Sequence, residues 1–142
     1  NVYGPHDKYD LDKCHMVPAL VNKVSAASNT LEIWGDGSAR RDILYIDDLV
    51  RMVEACILNQ KTSYELFNCG GGKAYSVKEI ANTIMEVSNK SLTLQLDPSK
   101  PNIPTVVVLD CLKAYKEIGW APTIDIKEGL KKTCEWYLEN YK

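Results

Sequence analysis

The sequence predicts an α/β fold, in which strands and helices alternate along the chain. Short segments with strand-like alternation or β-branched residues are interleaved with segments whose apolar residues recur at helical spacing. Two helix starts carry capping signals, one at Ser76 with Glu79 three residues later and one at Asp125. The 142 residues, 45% hydrophobic and 25% charged, have the composition of one packed domain or of a piece of one.

The first third of the chain is predicted as loop, helix, strand and turn. Residues 5–14 are polar and aperiodic, which indicates a loop. The helix that follows has Pro18 in its first turn, where a missing N–H costs nothing. The buried stripe of that helix is predicted to be Val17, Leu20, Val21 and Val24. Residues 31–34 alternate like a short strand, and residues 35–37 (Gly-Asp-Gly) form a turn.

The middle of the chain is predicted to contain two further strands. Residues 42–46 form the first, and Asp47 or Asp48 is expected to cap the helix after it. The inner face of that helix is predicted to be Leu49, Met52, Val53 and Cys56. Residues 65–69 form the second strand, which ends in three consecutive glycines at 70–72.

A helix with a capping box follows the glycines. The Ser76 hydroxyl is expected to accept the N–H of Glu79, whose carboxylate reaches back to the Ser76 N–H. The buried stripe of this helix is predicted to be Val77, Ile80, Ala81 and Ile84. Residues 92–96 are predicted as a strand, residues 97–104 with three prolines as a loop, and residues 106–109, which are rich in β-branched residues, as a strand.

Two helices are predicted in the last third of the chain. A short helix after Asp110 ends at Gly119, with Pro122 just beyond it. Asp125 caps the final helix. The residues expected to face inward on that helix are Ile126, Leu130, Thr133 and Tyr137.

Charge and cysteine content exclude several function classes. A net charge of -2 disfavours a nucleic-acid partner, because such proteins are normally basic. Neither an apolar run of about 20 residues nor a secretion signal is visible, so no membrane partner is expected. The five cysteines are scattered and form no C-x-x-C pair, which argues against a zinc site and a disulfide framework. Reduced thiols and a cytoplasmic location fit best.

The chain begins at Asn1 without a methionine and runs directly into a strand-like segment. Natural N-termini are usually frayed and polar. The abrupt start therefore favours interpretation as a fragment, although processing also removes methionines.

The three glycines at 70–72 resemble a phosphate-binding turn only superficially. A dinucleotide fingerprint needs a glycine at position 75, which is Tyr75. A P-loop needs a glycine at position 67 and Ser or Thr after Lys73, where the chain has Phe67 and Ala74. Both patterns fail, so a tight connection between a strand and a helix is the favoured interpretation.

Two histidines are present. His6 lies beside Asp7 in a loop and is expected to be solvated. His15 immediately precedes the Pro18 helix, where the helix dipole disfavours an added positive charge and so suits the imidazole to proton transfer near neutrality. Position alone favours a capping or structural role for His15 over a catalytic one.

Cations and an aromatic residue lie near the same elements. Lys23 flanks the first helix, and Arg40 and Arg41 follow the Gly-Asp-Gly turn. Arginine offers a planar fork to phosphate oxygens and lysine a point charge, but each residue alone is best explained as a surface charge. Trp34 could stack on a flat ring, although core packing is the default interpretation.

Several segments become informative in combination. They are residues 1–5 (Asn-Val-Tyr-Gly-Pro), 14–20 (Cys-His-Met-Val-Pro-Ala-Leu), 34–48 (from Trp-Gly-Asp-Gly to Ile-Asp-Asp), 67–72, 76–79, 118–120 and 128–130. Together they resemble the second half of extended short-chain dehydrogenases that act on nucleotide sugars, the NAD-dependent epimerase/dehydratase family. Within that family, the proline-capped His-x-Val-Pro-Ala-Leu helix is most similar to that of the GDP-L-fucose synthases.

The resemblance implies the architecture of the whole chain. Residues 1–142 correspond to the C-terminal, substrate-binding part of an extended Rossmann-type short-chain dehydrogenase, with the dinucleotide-binding βαβ units missing. The glycine fingerprint, the Tyr-x-x-x-Lys pair, and the family's serine and cysteine are expected before Asn1. Cys14 is therefore not the family's catalytic cysteine, and the chain alone is expected to be inactive.

The resemblance also implies residue roles. His15 matches the catalytic histidine, a proton donor beside the substrate ketone, which replaces the structural interpretation above. Asn1 resembles the asparagine that lines the sugar and diphosphate, and Lys23 a basic diphosphate contact. Trp34 and Arg41 resemble residues around the nucleotide and its phosphates. Neither a cofactor-binding nor a metal-binding residue is expected on this chain.

The implied reaction is epimerisation of a GDP-4-keto-6-deoxy-sugar followed by hydride transfer from NADPH. It requires an acid and a base on opposite faces of an enolate, with cations holding the diphosphate. NADP(H) or NAD(H) is expected to bind mainly to the missing part, and the parent protein to be a homodimer. A nucleotide-diphosphate sugar is the partner expected of this chain.

One departure from the family pattern leaves alternative functions open. Residues 106–108 are valines where the family carries a further basic residue. A UDP- or dTDP-sugar 4-epimerase or dehydratase is therefore an alternative, disfavoured by His15. A non-catalytic nucleotide-sugar-binding module whose gene begins near Asn1 is another, and the missing methionine argues against it.

Overall fold

The structure, a computed structural model, describes residues 1–100 and 105–141, and it has the predicted mixed α/β architecture. The helices in these residues are α1 (Met16–Ala26), α2 (Ile46–Asn59), α3 (Val77–Val87), α4 (Leu112–Ile118) and α5 (Ile126–Asn140). The strands are β1 (Val2–Tyr3), β2 (Thr30–Trp34), β3 (Arg40–Asp42), β4 (Leu44–Tyr45), β5 (Ala74–Ser76), β6 (Thr93–Asp97) and β7 (Val106–Val107). The loop predicted over residues 97–104 lies partly outside the described residues. In the described part of the chain, every helix is too short or too polar to cross a bilayer.

The strands pair in three small groups. β1 lies parallel to β4, with Val2 opposite Leu44. β2 lies parallel to β6 over five residue pairs, the last of which joins Trp34 to Asp97. β3 is the centre of a three-stranded group, antiparallel to β5 and parallel to β7. These pairings bring together segments that are far apart in the sequence.

The main core lies between α1, α3, α5 and the buried side of β2. α3 has both hydrogen bonds of the predicted capping box, from Ser76 and from Glu79. α5 begins at the predicted cap Asp125, whose carboxylate accepts the N–H of Glu128 at 2.9 Å. The most deeply buried apolar side chains of these elements include Val21, Val24, Leu31, Ile33, Ile80, Ile84 and Leu130.

A smaller core lies between α2 and α4 and encloses Trp120. α4 ends as predicted at Gly119, which has the left-handed φ of 71° that favours glycine. The predicted inward position of Val53 is wrong, because Met52 is buried at the inner face and Val53 is 52% exposed. α2 therefore has a second apolar stripe, facing outward, that consists of Val50, Val53 and Ile57.

The predicted cap of α2 is also wrong. Tyr45 occupies the N-cap position, and Asp47 and Asp48 lie in the first helical turn. The Asp48 carboxylate is fully buried and accepts backbone N–H groups of residues 123 and 124, at 3.1 and 3.0 Å, while it pairs with Arg51. Asp48 thus ties the linker between α4 and α5 to α2 instead of capping its own helix.

Two predicted strands differ from the structure. The strand predicted over residues 42–46 is divided between β3 and β4, because β3 pairs with β5 and β7 whereas β4 pairs with β1. Residues 65–69 form no strand. Side-chain contacts hold that segment instead, including an ion pair of 2.6 Å between Lys113 and Glu65. The strand that precedes α3 is β5, on the far side of the glycines.

Candidate functional site

Trp34 and two lysines form an exposed cationic cluster, which we call the Trp34 platform (Lys23, Trp34 and Lys100). The Trp34 indole is 54% exposed. The Lys23 ammonium lies 5.5 Å and the Lys100 ammonium 5.8 Å from the ring centroid, both within cation–π range. A flat exposed ring flanked by two positive charges can stack on a planar base and attract phosphate oxygens.

The fold explains why these three side chains meet. β2 alternates strictly between buried and exposed residues, which turns Trp34 outward. Lys23 lies on the flank of α1 and also pairs with Glu32 of β2, with 3.9 Å between the ammonium and the carboxylate. Lys100 follows β6, and the parallel pairing of β6 with β2 returns the chain to the side of Trp34.

Arg41 lies in β3, beside the residue that follows the undescribed segment. Its Nη1 donates to the carbonyl oxygen of Thr105 at 3.0 Å and to the Thr105 hydroxyl at 3.1 Å. Val107 is its partner across the sheet. Arg40 has a different partner: its guanidinium pairs with the Glu79 carboxylate of α3 at 3.1 Å. Position in the sequence alone did not distinguish the two arginines, and the family resemblance selected Arg41. In the structure, Arg40 pairs with a carboxylate at the start of α3.

Asn1 and the buried Asp42 organise the strands next to Arg41. The Asn1 side-chain amide donates to the carbonyl oxygen of Asp42 at 3.1 Å. The Asp42 carboxylate accepts the N–H groups of residues 71 and 72, at 2.6 and 3.3 Å, and of Leu109 at 3.0 Å. The amides that a phosphate-binding turn would present are therefore engaged by a protein carboxylate. This arrangement agrees with the structural interpretation of the three glycines.

His15 occupies the N-cap position of α1. Its side chain is exposed and makes no capping hydrogen bond, while its carbonyl oxygen accepts the N–H of Ala19 at 3.0 Å. The imidazole therefore does not have the capping role that position alone favoured. Lys23 lies eight residues further along the same helix, about 12 Å along its axis.

Two of the predicted site residues are in contact, two are neighbours through Asp42, and His15 is separate. Lys23 meets Trp34, and Asn1 bonds to the residue that follows Arg41. Within residues 1–100 and 105–141, no side-chain contact joins His15 to these groups. Sequence reasoning missed Lys100 and Thr105, because only the parallel pairings of β6 and β7 bring them to Trp34 and Arg41.

Comparison with known proteins identifies the relatives of this chain. Residues 1–70 match the model of the NAD dependent epimerase/dehydratase family, a range that contains all five predicted site residues. The chain is 36% identical over 144 residues to "Probable GDP-L-fucose synthase 1" from Oryza sativa subsp. japonica. That alignment covers 99% of this chain and 43% of the rice protein.

Solved structures share the fold. A GDP-L-fucose synthetase from Naegleria fowleri superimposes with a TM-score of 0.86 at 25% identity, covering 99% of this chain and 44% of that one. A UDP-glucuronic acid 4-epimerase from Bacillus cereus superimposes with a TM-score of 0.85 at 29% identity, with the same coverage of 99% and 44%. The chain thus spans less than half the length of these relatives. By sequence and by fold, it belongs to the NAD dependent epimerase/dehydratase family.

Proposed function

We propose that this chain is the nucleotide-sugar-binding part of an epimerase/reductase of the GDP-L-fucose synthase type. In the parent protein, a GDP-4-keto-6-deoxy-sugar would be epimerised and its ketone reduced by NADPH. The observation that carries the proposal is the Trp34 platform, where an exposed indole lies between two ammonium groups. The similarity to the rice and Naegleria proteins supports the same substrate class.

The Trp34 platform suits the nucleotide end of the substrate. Stacking of a base on an aromatic side chain contributes about 1–3 kcal/mol and needs a ring face open to solvent, which Trp34 provides. Lys23 and Lys100 supply point charges for the diphosphate, and Arg41 a planar fork. The Lys23–Glu32 pair is partly exposed, so phosphate oxygens can compete for that ammonium at little cost.

The position of His15 suits the sugar end of the substrate. Its imidazole is exposed at the start of α1, while Lys23 lies about two turns further along the same helix. A diphosphate held near Lys23 therefore leaves room for the sugar ring to extend towards His15. We assign His15 the role of proton donor beside the ketone, with Asn1 lining the sugar and diphosphate.

The second apolar stripe of α2 supports the assignment of this chain to a larger protein. Val50, Val53 and Ile57 are at least half exposed, opposite a face that packs on the smaller core. A helix that is apolar on two faces is typical of helices buried on both sides. We propose that the stripe packs against the remainder of the parent. That remainder would carry the dinucleotide-binding βαβ units, the Tyr-x-x-x-Lys pair, the bound NADP(H) or NAD(H), and the homodimer contacts.

Calorimetric titration of the chain with GDP, UDP and dTDP tests the proposal. GDP is expected to bind most tightly, and Trp34→Ala to weaken GDP binding at least about tenfold, because the stacking surface is lost. Lys23→Ala is expected to weaken binding and to reduce its dependence on salt, since one phosphate contact is removed.

Matched controls are available on other surfaces. Tyr115→Ala removes an exposed aromatic ring from α4, and Lys131→Ala removes an exposed charge from α5. Both variants are expected to bind GDP like the unchanged chain. Unaltered GDP binding by Trp34→Ala, or failure of the chain to bind any of the three nucleotides, would refute the proposal.

A second candidate is an epimerase or dehydratase of UDP- or dTDP-sugars. It is favoured by Val106 and Val107, which lie opposite Arg40 and Arg41 in the sheet where the family resemblance leads one to expect another cation. The similarity to the Bacillus cereus UDP-glucuronic acid 4-epimerase supports it as well. Tighter binding of UDP or dTDP than of GDP in the same titrations would select this candidate.

A further inference from the structure

A carboxylate lies beside the ring of the Trp34 platform. Trp34 and Asp97 are direct partners in the parallel pairing of β2 with β6, and the Gly35 N–H donates to the Asp97 carbonyl oxygen at 2.8 Å. Partners in a parallel pair of strands place their side chains on the same face of the sheet, because successive side chains alternate in both strands. Trp34 is on the outward face of β2, so the Asp97 side chain lies on that face as well.

The Asp97 carboxylate is held through one of its two oxygens. Oδ1 accepts the backbone N–H of Ser99 at 3.0 Å and the Ser99 hydroxyl at 2.6 Å. Among the residues that the structure describes, none donates a hydrogen bond to Oδ2. The hydrogen bonds from Ser99 lower the pKa of the Asp97 carboxyl, so the group is ionised at neutral pH. Oδ2 is therefore a charged acceptor in a fixed orientation without a protein partner.

A second carboxylate near Trp34 is already engaged. Glu32 lies two residues before Trp34 on the same face of β2, and its carboxylate pairs with the Lys23 ammonium. Lys23 is also the residue to which the diphosphate is assigned above. Asp97 lies on the neighbouring strand, level with Trp34 and not with the Glu32–Lys23 pair. The acceptor available to a base stacked on the indole is therefore Asp97.

An acceptor in this position discriminates between bases. Guanine presents two neighbouring donors, N1–H and the N2 amino group, on its Watson–Crick edge, and a carboxylate oxygen has lone pairs for both. Uracil and thymine present one N3–H between two carbonyl oxygens, and those oxygens repel a carboxylate. A site built to hydrogen-bond one ligand strongly rejects analogues that lack the matching groups. A carboxylate oxygen without a partner beside a stacking ring therefore favours guanine.

We propose that Asp97 determines the preference of the Trp34 platform for guanine over pyrimidine bases. Oδ2 of Asp97 accepts N1–H and N2–H of a guanine stacked on Trp34, while Ser99 holds the carboxylate through Oδ1. The assignment rests on the proposed nucleotide-sugar function and adds the residue that selects the base. The absence of a cation at Val106 and Val107 affects phosphates that GDP, UDP and dTDP share, so it does not select the base.

Calorimetric titrations with GDP, IDP and UDP test the assignment. Asp97→Asn keeps an oxygen for the Ser99 N–H but replaces the second oxygen by an NH2 group, which donates and cannot accept from guanine. The substitution is expected to weaken GDP binding at least about tenfold and to leave UDP binding unchanged, because only guanine loses hydrogen bonds to a charged acceptor. IDP lacks the N2 amino group and should bind the unchanged chain about tenfold more weakly than GDP. That comparison needs no variant, so it tests the assignment even if Asp97→Asn fails to fold.

Asp110→Asn is the matched control, because Asp110 holds a similar turn just before α4 by accepting the N–H of Leu112 at 2.8 Å. It should bind all three nucleotides like the unchanged chain. A purely structural or electrostatic role for Asp97 predicts equal changes in GDP and UDP binding. Equal changes, unaltered GDP binding by Asp97→Asn, or equal binding of IDP and GDP would each overturn the assignment and leave the nucleotide-sugar proposal standing. Failure of the unchanged chain to bind any of the three nucleotides would overturn both.

Discussion

Asp48 joins distant parts of the chain through one buried carboxylate. It accepts backbone N–H groups of residues 123 and 124 and pairs with Arg51. Its carbonyl oxygen accepts the indole N–H of Trp120 at 2.9 Å. Burial alone would raise the pKa of the Asp48 carboxyl, but hydrogen bonds from Arg51 and the two backbone groups outweigh burial, so the pKa is lowered.

The lowered pKa of Asp48 predicts a loss of stability in acid. Its stabilising contribution is present above the unfolded-state pKa of about 4 and is lost as the pH falls through the lower folded-state value. Asp48→Asn should reduce the free energy of unfolding at neutral pH by about 2–3 kcal/mol and flatten its decline below about pH 4.

Urea denaturation at several pH values measures both effects. Asp47→Asn changes the exposed neighbour in the same helical turn and is expected to leave stability within about 0.5 kcal/mol. An acid dependence in Asp48→Asn that matches the unchanged chain would show that Asp48 is not the group responsible.

At the scale of elements, the start of α3 depends on a reciprocal cap. The Ser76 hydroxyl accepts the N–H of Glu79 at 3.1 Å, and the Glu79 carboxylate accepts the N–H of Ser76 at 2.6 Å. Arg40 of β3 pairs with the same carboxylate. The cap therefore fixes both the beginning of α3 and its position against the sheet.

Ser76→Ala should lower the free energy of unfolding by about 1 kcal/mol, because one N–H at the helix start loses its acceptor. Thermal melts followed by circular dichroism measure the change. Ser63→Ala, at an exposed position between α2 and the glycines, serves as the control and should melt like the unchanged chain. Equal melting temperatures for the two variants would contradict the role of the cap.

Elements with local signals were predictable from the sequence. The start of α3 at Ser76, the start of α5 at Asp125 and the end of α4 at Gly119 follow from capping chemistry within a few residues. The pairing of short strands depends on distant partners, which explains why β5 was missed and why residues 65–69 were wrongly predicted as a strand.

The candidate site also contains residues that the sequence identifies and residues that only distant strand pairing brings in. Trp34 and Lys23 could be named from sequence, and the alternation of β2 explains why Trp34 is exposed although core packing was its default interpretation. Lys100 could not be named, since it reaches Trp34 only through the pairing of β2 with β6. The roles of all five predicted site residues (Asn1, His15, Lys23, Trp34 and Arg41) remain predictions from the family resemblance.

At the scale of the whole molecule, the proposed function separates substrate binding and proton donation from cofactor binding and hydride transfer. We propose that the substrate-binding residues lie on this chain, and that the groups that hold the cofactor and transfer hydride belong to the remainder of the parent. The 142-residue chain is therefore expected to bind GDP without NADPH and to catalyse no ketone reduction. Loss of NADPH absorbance on mixing the chain with a GDP-4-keto-6-deoxy-sugar would contradict this expectation.

The most direct test of the nucleotide-sugar assignment is an amide-resolved NMR titration of the chain with GDP-mannose. The account predicts coincident, saturable shifts at the Trp34 indole N–H and at the backbone amides of His15, Lys23 and Arg41, because one ligand spans all four positions. Saturable shifts confined to other surfaces, or a spectrum that GDP-mannose leaves unchanged, would contradict the assignment.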